Sequence, residues 1–250
     1  MKWILVAGCG HTGTTISAKI IGLHRQVFGF EEETGFLRKK ASHRLNRRKK
    51  IFSQMARRAG KSIICEKTPR HVHSIDHARR ILANSFFVLC VRNPYDTIAS
   101  LAARERNPIN NEAIKIGYKR YLSDNLAVVE QMNIQDVLIH RYENFVQNPE
   151  SSIRSICNHV KIDFEQQMLE PDAVSTRWFQ QTGQRNATRL RGRRNGHASR
   201  RSWQVNQKIF DNRGKWRSML NSDQLDYLNC LLSRPISLWM LEKLDYSLES

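Results

Sequence analysis

The 250-residue chain has no apolar run long enough to cross a bilayer, no internal repeat, no cysteine pair at metal-ligand spacing, and little acid. A membrane span needs about 20 consecutive apolar residues, so an integral membrane protein is not expected. The starting methionine leads almost at once into a strand-like stretch, so a secretory leader is not expected. Cys9, Cys65, Cys90, Cys157 and Cys230 are odd in number and irregular in spacing. They argue against a disulfide framework and for reduced thiols in a cytoplasmic protein, each one core filler. The shortage of acid says most. Lys and Arg total 41 against 23 Asp and Glu, a net charge of +18. No acid lies between Glu33 and Glu66, where Arg38, Lys39, Lys40, Arg44, Arg47, Arg48, Lys49, Lys50, Arg57, Arg58 and Lys61 accumulate. None lies between Asp172 and Asp211 either, where Arg185, Arg189, Arg191, Arg193, Arg194, Arg200 and Arg201 do the same. That exceeds what one anionic nucleotide requires; an electropositive acceptor cleft or plain solvated surface accounts for it.

One further absence is a lysine. Ile4 to Ala7 reads as a buried strand and Gly13 to Leu23 as a helix, with a glycine-rich turn between them. Such a turn aims backbone N–H groups at an anion, and the helix macrodipole adds positive potential there. Gly8, Gly10 and Gly13 satisfy the dinucleotide fingerprint, with Glu31 to Glu33 near the place of a ribose-binding acid. Gly8 and Gly13 also satisfy the first half of the nucleoside-triphosphate loop. Thr14, however, stands where the lysine that reaches the outer phosphates belongs, which argues against an ATP or GTP hydrolase. The third reading is a loop that holds one 5′-phosphate.

A second phosphate contact is legible downstream. Phe86 to Val91 reads as a strand, Asn93 can cap the following helix, and Pro94 suits its first position. Arg92 then lies just before the helix and Ser100 two turns inside it. A guanidinium and a hydroxyl at that offset can reach one phosphate.

At these residues the chain resembles the sulfotransferases that use 3′-phosphoadenosine 5′-phosphosulfate. Their first loop, [KR]-[ST]-G-[TS]-[TS], is matched by His11-Thr12-Gly13-Thr14-Thr15, and their arginine-then-serine signature by Arg92 and Ser100. Their E-K-[TS]-P and [YF]-E-[DN] elements appear as Glu66-Lys67-Thr68-Pro69 and Tyr142-Glu143-Asn144. Beyond about residue 145 the match is loose. The resemblance implies sulfuryl transfer from that co-substrate to a hydroxyl acceptor, a glycan hydroxyl, peptide tyrosine or small alcohol, anionic in keeping with the charge. Gly10, His11, Thr12, Gly13, Thr14 and Thr15 would hold the 5′-phosphate end, Arg92 and Ser100 the 3′-phosphate, and Tyr142 the adenosine. Lys215 and Trp216, within Arg213-Gly-Lys215-Trp216-Arg217, would belong to a late cofactor-closing segment.

The implied catalytic residues are Glu33, His11 and Lys67. Glu33 is selected as the base by the glycan-type E-x-x-F (Glu33 to Phe36) and by the tyrosyl-protein-type E-E-T (Glu32 to Thr34). Repulsion among three adjacent glutamates is expected to raise at least one pKa, which suits a base. Lys67 matches the lysine that touches the sulfonate oxygens, with Glu66 orienting it or a neighbour. His11 replaces the family's Lys or Arg, so its charge near neutral pH is conditional and more of the leaving-group stabilisation falls to Lys67. No metal is demanded. His73 and His77, at a metal-compatible i, i+4 spacing on an expected helix, lack a third ligand and read as helix surface. The alternatives are a P-loop kinase, which needs a compensating lysine and a magnesium-binding acid, and a catalytically weak, basic nucleic-acid- or polyanion-binding relative. Nucleic acid is not an expected partner, and neither a kinase nor a basic nucleic-acid binder accounts for Arg92 with Ser100.

Strands expected near 3–7, 27–30, 62–65, 86–91 and 136–140 alternate with helical patterns. That predicts an α/β fold: one three-layer domain over residues 1–250, with a central parallel sheet covered by helices on both faces and a P-loop-like turn. The expected helices include Leu37 to Arg58, one starting at Pro69, Glu112 to Met132, Pro149 to Val160 and Ser222 to Leu244. Residues 171–215 read as a long basic loop, a candidate lid. His11, Glu33, Lys67 and Arg92 all follow strand C-termini, the edge where open α/β sheets bind ligands.

Overall fold

The computed structural model describes residues 1–38, 42–176 and 206–249. Five strands, β1 (Lys2–Gly8), β2 (Val27–Gly29), β3 (Ile63–Lys67), β4 (Ser85–Val91) and β5 (Val137–Arg141), form one sheet in the order β2-β3-β1-β4-β5, with every pairing parallel. In chain order the helices are α1 (Thr14–Gly22), α2 (Ser42–Arg58), α3 (Ile75–Ile81), α4 (Pro94–Glu105), α5 (Asn111–Val129), α6 (Tyr142–Gln147), α7 (Pro149–Val160), α8 (Ser222–Leu232) and α9 (Pro235–Lys243). Both faces of the sheet are covered, as expected. Trp3, Leu5 and Ala7 of β1 pack with residues of α2, α4, α5 and α8, while Ile4 and Val6 meet Ala18 and Ile21 of α1 and Ile156 of α7. A strand buried on both sides reads as a continuous apolar run, and each such side chain contributes about 1.5–3 kcal/mol on burial.

Local chemistry fixes the helix starts nearest the site. Asn93 Oδ1 accepts from the N–H groups of Tyr95 (2.9 Å) and Asp96 (3.2 Å), with Pro94 behind it. Asn110 caps α5 through the Ala113 N–H at 3.0 Å. Each cap is worth about 1 kcal/mol.

Several expectations are corrected. The α-helix expected from Leu37 is described over Ser42–Arg58, and residues 36–38 form a 3₁₀ turn instead. Phe36 and Leu37 are buried in that turn, and Phe36 stacks on Trp3 with ring centres 5.5 Å apart, so these apolar residues anchor the turn rather than start a stripe. The helix expected over Ser222 to Leu244 is two. Pro235 cannot continue a hydrogen-bonded turn, and Arg234 before it is extended (φ −66°, ψ 141°). Pro69 opens a 3₁₀ helix, Pro69–Ser74, ahead of α3. Four cysteines are buried, whereas Cys230 is exposed and fills no core. Lys39, Lys40 and residues 177–205, which include the arginines from 185 to 201 and most of the expected loop, lie outside the described residues. The flanks of that segment meet: Asn206 exchanges two bonds with the Thr176 backbone (2.8 and 2.9 Å), and Lys19 donates to the Val174 carbonyl at 2.7 Å. Among the described residues no helix is long and apolar enough to cross a membrane.

Candidate active site

β1 ends at Gly8, where φ is +126° and a Cβ would stand 2.3 Å from the Cys90 carbonyl oxygen, so only glycine fits. At Gly13, φ +90°, a Cβ would come within 3.0 Å of the Tyr142 ring. Between them His11 holds a left-handed backbone, φ 73°, a strain characteristic of ligand-binding turns. Gly13 caps α1 without a side chain to bond the first-turn N–H groups. The Thr14 hydroxyl is buried with no hydrogen-bond partner among the described residues. Uncapped donors and a buried hydroxyl at one helix N-terminus fit a bound phosphate.

Four of the expected residues converge beside this loop. His11 Nδ1 lies 2.7 Å from Ser100 Oγ on α4. Arg92, leaving β4, donates through Nη1 to the His11 carbonyl (3.3 Å) and through Nη2 to the Asn212 carbonyl (2.6 Å). Its guanidinium carbon sits 4.2 Å from the ring centre of Tyr142, the first residue of α6. Burial raises the Tyr142 pKa, partly opposed by the Arg92 charge.

Asp96, one turn beyond Arg92, ties this group to the late segment. It pairs with Arg92 at 3.4 Å and accepts from the N–H groups of Gly214 (2.9 Å) and Trp216 (3.1 Å). Trp216 is buried against Tyr95, ring centres 5.1 Å apart, and Lys215 is exposed. The tryptophan thus anchors the segment, and the Asn212 carbonyl is what reaches Arg92.

On the other side of β1, Lys67 is fully buried and pairs with Glu33 Oε1 at 2.8 Å, while the Glu33 side chain stays 34% exposed. Glu66 points elsewhere. Its Oε1 accepts from the Thr34 and Thr68 hydroxyls, each at 2.7 Å, and its Oε2 lies 2.9 Å from His71 Nδ1. Burial pushes the Glu66 carboxyl up, but the His71 charge and these bonds outweigh it and hold the pKa below its ordinary value. Glu66 therefore orients the turn after Glu33 rather than Lys67. Arg48 adds a bond to the Thr34 carbonyl at 2.9 Å, and Thr68 Oγ1 accepts the Gly35 N–H at 3.0 Å. Of the three adjacent glutamates, Glu31 has a raised pKa, and the cause is burial, opposed by Lys19, rather than repulsion from its neighbours.

The sequence profile described as "Sulfotransferase family" matches residues 38–166, just over half of the chain. The chain belongs to the sulfotransferase family. Among solved structures, the sulfotransferase domain of the Synechococcus PCC 7002 olefin synthase superposes with a TM-score of 0.65 at 16% identity, over 99% of this chain and 95% of that one. The sulfotransferase domain from the curacin biosynthetic pathway gives 0.60 at 16%, over 99% of each. Mouse sulfotransferase SULT7A1 complexed with PAP gives 0.58 at 13%, over 96% of this chain and 88% of that one. At such identities the likeness is one of fold. No curated protein sequence matches the chain. Membership in the family removes the kinase reading, in keeping with Thr14 in the loop.

One group in this sulfotransferase escapes a reading by motif. Asp124 on α5 is 1% exposed and meets His73 Nε2 at 2.7 Å and Arg120 Nε at 3.5 Å. It lies beside the Cys9 thiol, whose pKa is pushed well up by burial and then by the Asp124 charge. The Arg120 guanidinium lies against the glycine-rich loop: a Cβ on Gly10 would stand 2.7 Å from its Nη2. The available signal was the opposite charges four apart on α5. His73 is thus not plain helix surface, and it and His77 stand on different helices, Pro69–Ser74 and α3.

Proposed function

We propose that this sulfotransferase, one domain throughout, moves a sulfuryl group from 3′-phosphoadenosine 5′-phosphosulfate (PAPS) to a hydroxyl acceptor. What carries the reading is the convergence of Arg92, Ser100, His11 and Tyr142 on an uncapped, glycine-rich helix start. The mouse relative complexed with PAP, the product form of that co-substrate, supports it. The co-substrate supplies the activated sulfuryl group; the chain holds, orients and moves a proton. The amides of Gly13 to Thr15 and the Thr14 hydroxyl would take the 5′-phosphate, and Arg92 with Ser100 the 3′-phosphate. Glu33 accepts the acceptor's hydroxyl proton. In doing so it neutralises the anionic partner of Lys67 as negative charge builds beside it, which strengthens the lysine's pull where it is wanted. Arg47, Lys50, Arg57 and Arg58 are exposed along α2, which follows the Glu33 turn, and this favours an anionic acceptor such as a glycan or acidic tyrosine peptide. Buried reduced thiols accord with a cytoplasmic protein.

The test is a titration with PAP against AMP. Charge-assisted bonds contribute about 1.5–3 kcal/mol each, so PAP should bind roughly 10–100-fold more tightly, and Arg92→Ala should erase most of that preference. Equal affinity of the unmodified protein for the two nucleotides would overturn the assignment.

A further inference from the structure

Resting on the sulfuryl-transfer reading above, the structure assigns to Arg120 a contact with the sulfonate of the co-substrate, where it supplies the permanent positive charge that the phosphate loop lacks. Within residues 8 to 15 the sole cationic side chain is His11, whose charge depends on protonation and whose Nδ1 faces Ser100 at 2.7 Å. Arg92 is directed at Tyr142, Asn212 and Asp96. Lys67 faces Glu33. Arg120 reaches the loop from α5 with its Nη2 against Gly10, the residue before His11.

Its orientation is set from behind. Asp124, buried, faces Arg120 Nε at 3.5 Å and is itself held by His73 at 2.7 Å. The two terminal nitrogens have no hydrogen-bond partner among the described residues, and the side chain is 29% exposed. A guanidinium steered through Nε presents Nη1 and Nη2 as a fork suited to an oxyanion. The side of approach identifies which oxyanion. His73 belongs to the 3₁₀ helix that begins two residues after Lys67, so the Asp124 cluster ties α5 to the strand end that carries Lys67, which faces Glu33. That strand end is where transfer occurs. Transfer forms a bond from the acceptor oxygen to sulfur, breaks the bond from sulfur to the phosphate oxygen and passes the acceptor proton to Glu33. The negative charge on the sulfonate oxygens and on the departing oxygen is what a fixed cation stabilises.

The experiment compares the unmodified protein with Arg120→Met, Arg120→Lys and the double variant Arg120→Met with His11→Lys. Equilibrium binding of PAPS and of PAP is measured without acceptor, and turnover with one accepted alcohol. Arg120→Met should leave PAP affinity within about threefold, lower the PAPS-to-PAP affinity ratio about tenfold, and cut kcat by roughly 10²-fold, the usual effect of removing one donor from a developing oxyanion. Arg120→Lys should fall between, and the double variant should recover at least about tenfold, because a lysine at position 11 restores permanent charge. An unchanged PAPS-to-PAP ratio, kcat within about threefold, or no recovery in the double variant overturns the proposal. So does loss of PAP binding, which would make Arg120 a brace for the loop; if Arg120→Met does not fold, Arg120→Lys with and without His11→Lys decides by the same readouts. Failure of the unmodified protein to prefer PAP over AMP strikes the sulfuryl-transfer reading instead.

Discussion

Glu33 and Glu32 are neighbours with opposite surroundings. Glu33 is partly exposed and shares one contact with the buried Lys67 ammonium, whereas Glu32 is buried. Glu33→Gln keeps the shape and removes the proton acceptor. It should leave PAP affinity nearly intact and cut turnover by ~10²–10⁴-fold, the span of general base catalysis, while Glu32→Gln does far less. Steady-state kinetics on the two variants decide this, and equal effects would place the base elsewhere. These residues were legible because Glu33, Lys67, Arg92 and Ser100 belong to short motifs whose spacing is local. Arg120, Asp124 and His73 were not, because the contact between His73 and Asp124 spans 51 positions and no motif ties α5 to the helix after β3. The conformational role of Glu66 was half legible: a partner was expected, but only the fold shows that it is His71 and the threonines at 34 and 68.

At the scale of elements, α4 and the segment 210–216 act together through Asp96. A buried carboxylate that accepts two N–H groups and pairs with an arginine cannot be removed without leaving those donors unmet. Asp96→Ala should therefore destabilise the fold by about 1–3 kcal/mol and, with the Asn212 carbonyl loosened, weaken PAP binding about tenfold. Thermal melting and a PAP titration test the two parts; if both are unchanged, Trp216 against Tyr95 holds the segment alone. The caps of α4 and the boundaries of the strands could be read from the sequence, since Asn93 with Pro94 and the apolar runs act within a few residues. The break at Pro235 was also written there. The 3₁₀ turn at Phe36–Arg38 was not, because the stacking of Phe36 on Trp3 joins residues from opposite ends of a β-α-β unit.

At the scale of the whole molecule, acid should loosen the fold through its buried histidines. Burial lowers the His140 pKa from 6.5 to about 4, and it lowers those of His24 and His159 as well. The unfolded chain thus binds the extra proton first: stability is full above about pH 6.5 and falls as pH drops toward 4, by about 1.4 kcal/mol per pKa unit and so on the order of 3 kcal/mol for His140. Urea midpoints at pH 7 and pH 4.5 should show the decline, and His140→Leu should flatten it. A slope unchanged in that variant would assign the acid sensitivity to His24 and His159. The overall α/β plan with a parallel sheet was legible from alternation alone, while the strand order, with β1 in the middle, was not, because it depends on which distant edges pair.

That central position of β1 also bears on biosynthesis. Trp3 is in register with Ile64 on one side and Ser85 on the other, so β1 leaves the ribosome well before either neighbour exists. At about 5–20 residues per second, its two edges stay open for several seconds, longer than the microseconds in which apolar segments collapse. Until residue 67 has emerged Ile4 to Ala7 is a sticky strand without a partner, and its other edge stays open until residue 91, the interval of synthesis in which this strand most needs a chaperone.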